Sequence, residues 1–138
     1  MDVIKIYADG ACRGNQNTTN IGGYGVVLIY KDSIKELNNA FQDTTNNKME
    51  ILSVIEGLKS LKRFDIPVEI YSDSQYVVNT INKGWRKNAN LDLWDELDRL
   101  IEKFDSVKFI KVKGHSDNNY NNRADKLANI AMDNYKRV

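Results

Sequence analysis

Apolar residues fall in two short runs near the start of the chain, Val3 to Ala8 and Tyr24 to Tyr30, and a third strand is expected at about Ile34 to Phe41. Each has strand character. The first two are separated by the turn formers Gly14-Asn15-Gln16-Asn17-Thr18-Thr19-Asn20 followed by Ile21-Gly22-Gly23, the last two by Lys31-Asp32-Ser33. Three consecutive strands with short connections predict an antiparallel meander. The period then changes. Met49, Leu52, Ile55, Leu58 and Leu61 recur every three residues and mark a helix face. Pro67 to Ser72 reads as a short buried strand, and Tyr76, Val77 and Ile81 as a brief helix ending near Gly84. Leu93, Trp94, Leu97, Leu100, Ile101 and Phe104 line one side of a strongly amphipathic helix. Val107 to Val112 is a further strand. The last segment, about Asn121 to Tyr135, is a helix with Ala124, Leu127, Ala128 and Ala131 inward. Strands alternating with helices pair in parallel through crossovers. The predicted fold is therefore α/β: a mixed five-stranded sheet, three antiparallel strands and then parallel ones, flanked by helices. Open sheets of this kind place their sites at the carboxyl ends of strands.

A length of 138 residues with no repeat, linker or low-complexity block implies one domain over residues 1–138. The 41% apolar and 28% charged content is that of a soluble globular protein. No run approaches the ~20 apolar residues that span a bilayer, and no basic-then-apolar leader precedes the first strand. No membrane association and a cytoplasmic location are expected. Cys12 stands alone, which excludes a disulfide framework and suits a reducing compartment. The net charge of +1 constrains function more sharply. Proteins that bind nucleic acid mainly by neutralising phosphates carry a basic excess or tail. Any such binding here has to rest on a local basic patch, bridging metal ions and neutral hydrogen-bond donors.

Four acids stand where chemistry is expected. Asp9 ends the first apolar run in Tyr7-Ala8-Asp9-Gly10, where a carboxylate must be solvated, paired or metal-bound. Asp73 ends another strand in Tyr71-Ser72-Asp73-Ser74, where it could also serve as a helix N-cap. Glu50 and Asp125 lie early in helices, where an exposed first-turn acid is favoured by the helix dipole. Each acid alone has such a structural explanation. The set gains weight from its surrounding words, which occur in order: Asp9-Gly10-Ala11-Cys12, Thr44-Thr45-Asn46-Asn47-Lys48-Met49-Glu50, Ser72-Asp73-Ser74-Gln75-Tyr76, and Lys113-Gly114-His115 followed by Asp125. Together they closely resemble type 1 ribonuclease H, including the bacterial enzymes and the ribonuclease H domains of reverse transcriptases. The resemblance runs from about Val3 to Tyr135.

The resemblance implies an endonuclease that hydrolyses the RNA strand of RNA/DNA hybrids, leaving a 5′-phosphate and a 3′-hydroxyl. Asp9, Glu50, Asp73 and Asp125 match the family's metal-binding carboxylates. Two Mg²⁺ ions ~4 Å apart suit phosphodiester hydrolysis, one activating water and one stabilising the leaving group, with Mn²⁺ as a substitute. By resemblance Asp9 bridges both ions, Asp125 helps hold the water-activating one, and Glu50 and Asp73 hold the other. His115, the only histidine, matches the family residue that assists proton transfer or product departure. A hybrid is told from other duplexes by 2′-hydroxyls on one strand only. Asn15, Asn46, Asn47 and Gln75 resemble the family's groove and 2′-hydroxyl contacts, and Thr45 part of its pocket for a DNA-strand phosphate.

Two departures from the family pattern stand out. The tight Gly-Asn-Pro-Gly turn is replaced by Gly14-Asn15-Gln16-Asn17, which leaves Asn15 less rigidly placed. The basic-protrusion helix of many cellular members is missing. Only Lys83-Gly84-Trp85-Arg86-Lys87-Asn88-Ala89-Asn90 occupies its place. Trp85 there is either a small core plug or a stacking contact beside Lys83, Arg86 and Lys87. With no added N-terminal hybrid-binding domain either, weak hybrid affinity with a shallow salt dependence is expected. A monomer without an obligate protein partner is expected too. The alternatives to a ribonuclease H are another nuclease on the same fold and a non-catalytic hybrid-binding module. A degenerate module should have lost an acid, and this chain keeps all four.

Overall fold

The computed structural model describes residues 2–14, 20–84, 87–113 and 119–135. Three ten-residue strands open the chain: β1 (Ile4–Arg13), β2 (Ile21–Tyr30) and β3 (Ser33–Gln42). They are followed by α1 (Asn46–Lys59), β4 (Val68–Ser72), α2 (Gln75–Asn82), α3 (Leu91–Glu102), β5 (Val107–Lys111) and α4 (Asn119–Asp133). The sheet order is β3-β2-β1-β4-β5. β1, β2 and β3 pair antiparallel, whereas β4 pairs parallel to β1 and β5 parallel to β4. The sheet is thus the mixed one that the sequence implied.

β1 differs from its prediction in an informative way. It runs beyond Asp9 to Arg13, although residues 9–13 carry no apolar alternation. β2 imposes the extended conformation, in a register from Lys5↔Ile29 through Asp9↔Gly25 to Arg13↔Ile21. The parallel pairing with β4 stops earlier, at Tyr7↔Tyr71. Asp9 is therefore in the middle of a strand, two residues past the point where β1 and β4 part.

The helices divide unequally between the faces. α1, α2 and α3 cover one face and bury the larger core, which includes Ile6, Val26, Ile51, Ile55, Ile70, Val77, Trp94 and Leu97. α1 starts earlier than its apolar repeat, because the Thr45 side chain caps it by accepting the Lys48 N–H at 3.1 Å. The helix is buried more broadly than one stripe, since it lies between the sheet and α3. Leu61 of the predicted stripe falls past its end but still packs on the core. α4 alone covers β1, β2 and β3 on the other face, over a small cluster of Tyr7, Val27, Ala124 and Leu127. Its inward residues are Ala124, Leu127, Ala128 and Met132, with Ala131 only half-buried. It sits so close that a Cβ on Gly25 would overlap the Ala124 carbonyl oxygen. Polar ties hold it in register: Arg123 makes a two-pronged contact with Glu36 at 2.6 and 2.9 Å, and the Asn38 amide donates to the Leu127 carbonyl at 3.0 Å.

α2 ends at Asn82 and α3 begins at Leu91, with no helix among the described residues between them. No helix of the described residues is long and apolar enough to cross a membrane.

Candidate active site

Strand order reverses at β1: the chain moves outward through β2 and β3, then returns to lay β4 on the other side. Crevices at the carboxyl ends of strands, at such a switch point, are where open α/β sheets bind ligands. Three elements deliver acids to this fork, and α4 brings a fourth.

Asp9 is 5% exposed. The next residue explains how α1 reaches it. A Cβ on Gly10 would overlap the backbone of Met49 and Glu50, so only glycine lets helix and strand approach this closely. Past Tyr7, β4 no longer borders β1, and the Gly10 N–H donates instead to Glu50 Oε1 at 3.0 Å. Glu50 is itself 5% exposed, and its second oxygen, Oε2, is buried with no donor. Its reading as an exposed first-turn acid is therefore overturned: the Thr45 cap moves Glu50 into the second turn, facing the sheet.

Asp73 follows β4 directly, and its alternative as an N-cap fails too. Ser74 is the cap of α2, its hydroxyl accepting the Val77 N–H at 3.2 Å, while Ser72 Oγ accepts the Ser74 N–H at 3.1 Å. The two serines satisfy the turn and leave the Asp73 carboxylate for the cleft. Asp125 arrives from the opposite face on α4, half-buried. Asp9 interacts with both Asp125 and Glu50.

Carboxylate oxygens of Asp9, Glu50 and Asp73 all lie within 4.8 Å of one another. Asp125 stands outside that trio but lines the same cleft of ≈ 440 Å³. Burial, and then the charges of Glu50, Asp73 and Asp125, push the Asp9 carboxyl far above the usual carboxylate range. Burial and then Asp73 raise Glu50 likewise, against the Gly10 N–H that favours its charged form. No lysine or arginine among the described residues lines the cleft. Crowded acids, an orphaned buried oxygen and no protein cation form a donor set that fits a hard divalent metal ion.

The remaining predicted contacts separate into three groups. Asn46, Asn47 and Gln75 line the cleft from the first turns of α1 and α2. Thr45 and Lys87 do not line it. Thr45 Oγ1 caps α1, and Lys87 Nζ is paired with Asp98 at 2.7 Å and lies 5.8 Å over the Trp94 ring. Asn15, Trp85, Arg86 and His115 lie outside the described residues. Ser74, Tyr76, Asn121 and Asn122 complete the lining, and sequence reasoning missed them. Asn121 offered one signal, standing one helical turn before Asp125. Tyr76 offered none, because its aromatic ring suits the apolar side of α2 equally well.

The profile of the RNase H family, described as RNase H, matches residues 1–133. A protein of Clostridium botulinum (strain Hall) named Ribonuclease H is 52% identical, over 98% of this chain and 99% of its own. Among solved structures, LC9-RNase H1, described as a type 1 RNase H with the type 2 active-site motif, superposes with a TM-score of 0.83. It is 27% identical and is matched over 98% of this chain and 74% of its own. LC11-RNase H1, solved with an RNA/DNA hybrid, gives 0.81 at 27% identity, over 94% and 96% of the two chains. The chain belongs to the ribonuclease H family, and its fold is that of the type 1 enzymes.

Proposed function

We propose that the protein hydrolyses the RNA strand of RNA/DNA hybrids at the fork between β1 and β4, leaving a 5′-phosphate and a 3′-hydroxyl. The observation that carries this reading is the gathering of Asp9, Glu50, Asp73 and Asp125 in one cleft, lined by no lysine or arginine among the described residues. The hybrid bound to LC11-RNase H1 supports the substrate class. Asp9, Glu50 and Asp73 would hold divalent metal, with Asp125 completing the set from α4. Mg²⁺ is the ion that best suits few carboxylates plus water and phosphate oxygens, and Mn²⁺ is its substitute. When bound, such ions supply an activated water and a stabilised leaving oxygen.

The protein's own contribution is placement. Gly10 fixes Glu50 through its N–H, the two serines free Asp73, and α4 sets the distance of Asp125. Asn46, Asn47 and Gln75 present neutral donors and acceptors beside the carboxylates, as recognition of 2′-hydroxyls requires. His115 assists proton transfer or product departure, so its loss slows turnover without abolishing it. Trp85 and Arg86, with Lys87 anchored to α3, supply the grip that replaces a basic helix. The protein acts as a monomer in the cytoplasm.

Cleavage assays with Mg²⁺ or Mn²⁺ on hybrid, duplex RNA and duplex DNA test the reading. Cutting confined to the RNA of the hybrid is the expected result. No cutting with either ion defeats it and favours a non-catalytic hybrid-binding module.

A further inference from the structure

A tyrosine stands two residues before each of the strand acids: Tyr7 ahead of Asp9 on β1, and Tyr71, on β4, ahead of Asp73. They are the last facing pair before the two strands part. Their rings stack, with centroids 4.6 Å apart and planes 12° from parallel. The Tyr71 hydroxyl donates to Glu69 Oε1 at 2.8 Å, which fixes the outer edge of that ring. Side chains alternate along a strand, so Tyr7 shares the face of Asp9, the one on which α4 lies. A third ring comes from that helix. Tyr120, in the first turn of α4, has its centroid 5.4 Å from that of Tyr7, with the planes tilted by 38°. The three rings thus bridge β4, β1 and α4, the elements that lead to Asp73, Asp9 and Asp125. Tyr120 is 41% exposed, whereas Tyr7 beneath it is 6% exposed, so the outer ring adds little to the core. Ala124 lies one turn on from Tyr120, on the same side of the helix and in the same buried cluster as Tyr7. Asp125 is the next residue. The polar ties of α4 act elsewhere. Arg123 and Leu127 are bound to β3, two strands away from β4, and Asn129 and Asp133 to Arg13 at the end of β1. The stack is the contact that seats the first turns of α4 beside the fork. It acts against the repulsion between Asp9 and Asp125 whenever both are charged.

We propose that the Tyr71–Tyr7–Tyr120 stack is a positioning device that sets the distance of Asp125 from Asp9, Glu50 and Asp73, and hence the affinity of the cleft for its metal ion. The inference rests on the reading above that these acids hold divalent metal. Tyr120→Ala removes the outer ring, and Tyr120→Phe keeps it. In calorimetric titration with Mn²⁺ alone, Tyr120→Ala should bind ~2–10-fold more weakly, the range of one aromatic pair, and Tyr120→Phe should match wild type. In hybrid cleavage, the Mn²⁺ activation curve of Tyr120→Ala should move to higher concentration by the same factor. Its rate at saturating metal and its KM for hybrid should stay within about twofold of wild type. Amide hydrogen exchange at residues 123–126 should quicken in Tyr120→Ala and not in Tyr120→Phe. A lowered melting temperature with unmoved Mn²⁺ affinity reduces the ring to plain packing and overturns the proposal. A raised KM with an unmoved Mn²⁺ curve also overturns it and makes Tyr120 a substrate contact. A wild-type protein that binds Mn²⁺ without cutting hybrid refutes the hydrolase reading, and the titration still decides the stack. If wild type binds no Mn²⁺, the metal reading fails, and unaltered exchange in Tyr120→Ala overturns the stack independently.

Discussion

Asp9 shows how much depends on a single carboxylate. It is buried, surrounded by acids and favoured in its neutral form until a cation arrives. Asp9→Asn keeps the shape and removes the charge. Cleavage should drop by more than ~100-fold, beyond the 10–100-fold typical of losing only a ligand's supporting partner. The metal-free variant should melt no lower than wild type, because asparagine fills the same space without the cost of burying an ionisable carboxyl. Calorimetry beside the cleavage assay separates the two effects, and a variant that is inactive because it is unfolded would contradict this account. The acids themselves were legible in the sequence through their neighbouring words. The alternative for Asp73 as a cap was removed by Ser72 and Ser74, and that for Glu50 as a first-turn acid by the Thr45 cap, which sets the start of α1.

At the level of elements, the site depends on how closely two helices approach the sheet from opposite sides. Gly10 admits α1 and Gly25 admits α4. Gly10→Ala should cost about 1–3 kcal/mol, as overpacking does, and should also displace Glu50 and lower activity. Gly25→Ala should act through Asp125 in the same way. Denaturant unfolding gives the stability loss, and metal titration followed by calorimetry gives the displacement of the acids. A Gly10→Ala protein with native stability and full metal affinity would contradict the packing argument. Thr45 belongs here as well. Sequence resemblance places it at a substrate phosphate, and in the fold its hydroxyl oxygen also accepts the Lys48 N–H as the cap of α1. The helix periods and strand runs were readable. The second half of β1 was not, because its extended conformation is imposed by pairing with β2 rather than by its own residues.

For the protein as a unit, the acid cluster links folding to pH and to metal. Asp9 and Glu50 have raised folded-state values, so well below the ordinary carboxylate range both the folded and unfolded chains hold these protons. As pH rises above the ordinary carboxylate range, the unfolded chain releases them while the folded one retains them. The metal-free protein therefore loses stability with increasing pH until the raised values are passed. Added Mg²⁺ should reverse this, by about 2.7 kcal/mol at a hundredfold excess over its Kd, and the gain should grow with pH. Melting curves from pH 4 to 8, with and without Mg²⁺, provide the check. A stability that rises with pH without metal would show that these acids are not so perturbed.

Local patterning was enough to determine nine elements, a mixed sheet, and four acids set in recognisable words. These properties live in the spacing of neighbouring residues, which a chain carries before it folds. Where β1 parts from β4, which Gly10 and Gly25 contacts admit the helices, and which oxygen of Glu50 remains without a donor depend on segments far apart in the chain. Lys87 illustrates the same division. Its charge was visible from the start, but its pairing with Asp98 and its place over Trp94 exist only because α3 folds back beside it. The acids could be named from the sequence, but their closeness, and hence their demand for a metal ion, comes from the sheet that brings β1, α1, β4 and α4 to one fork.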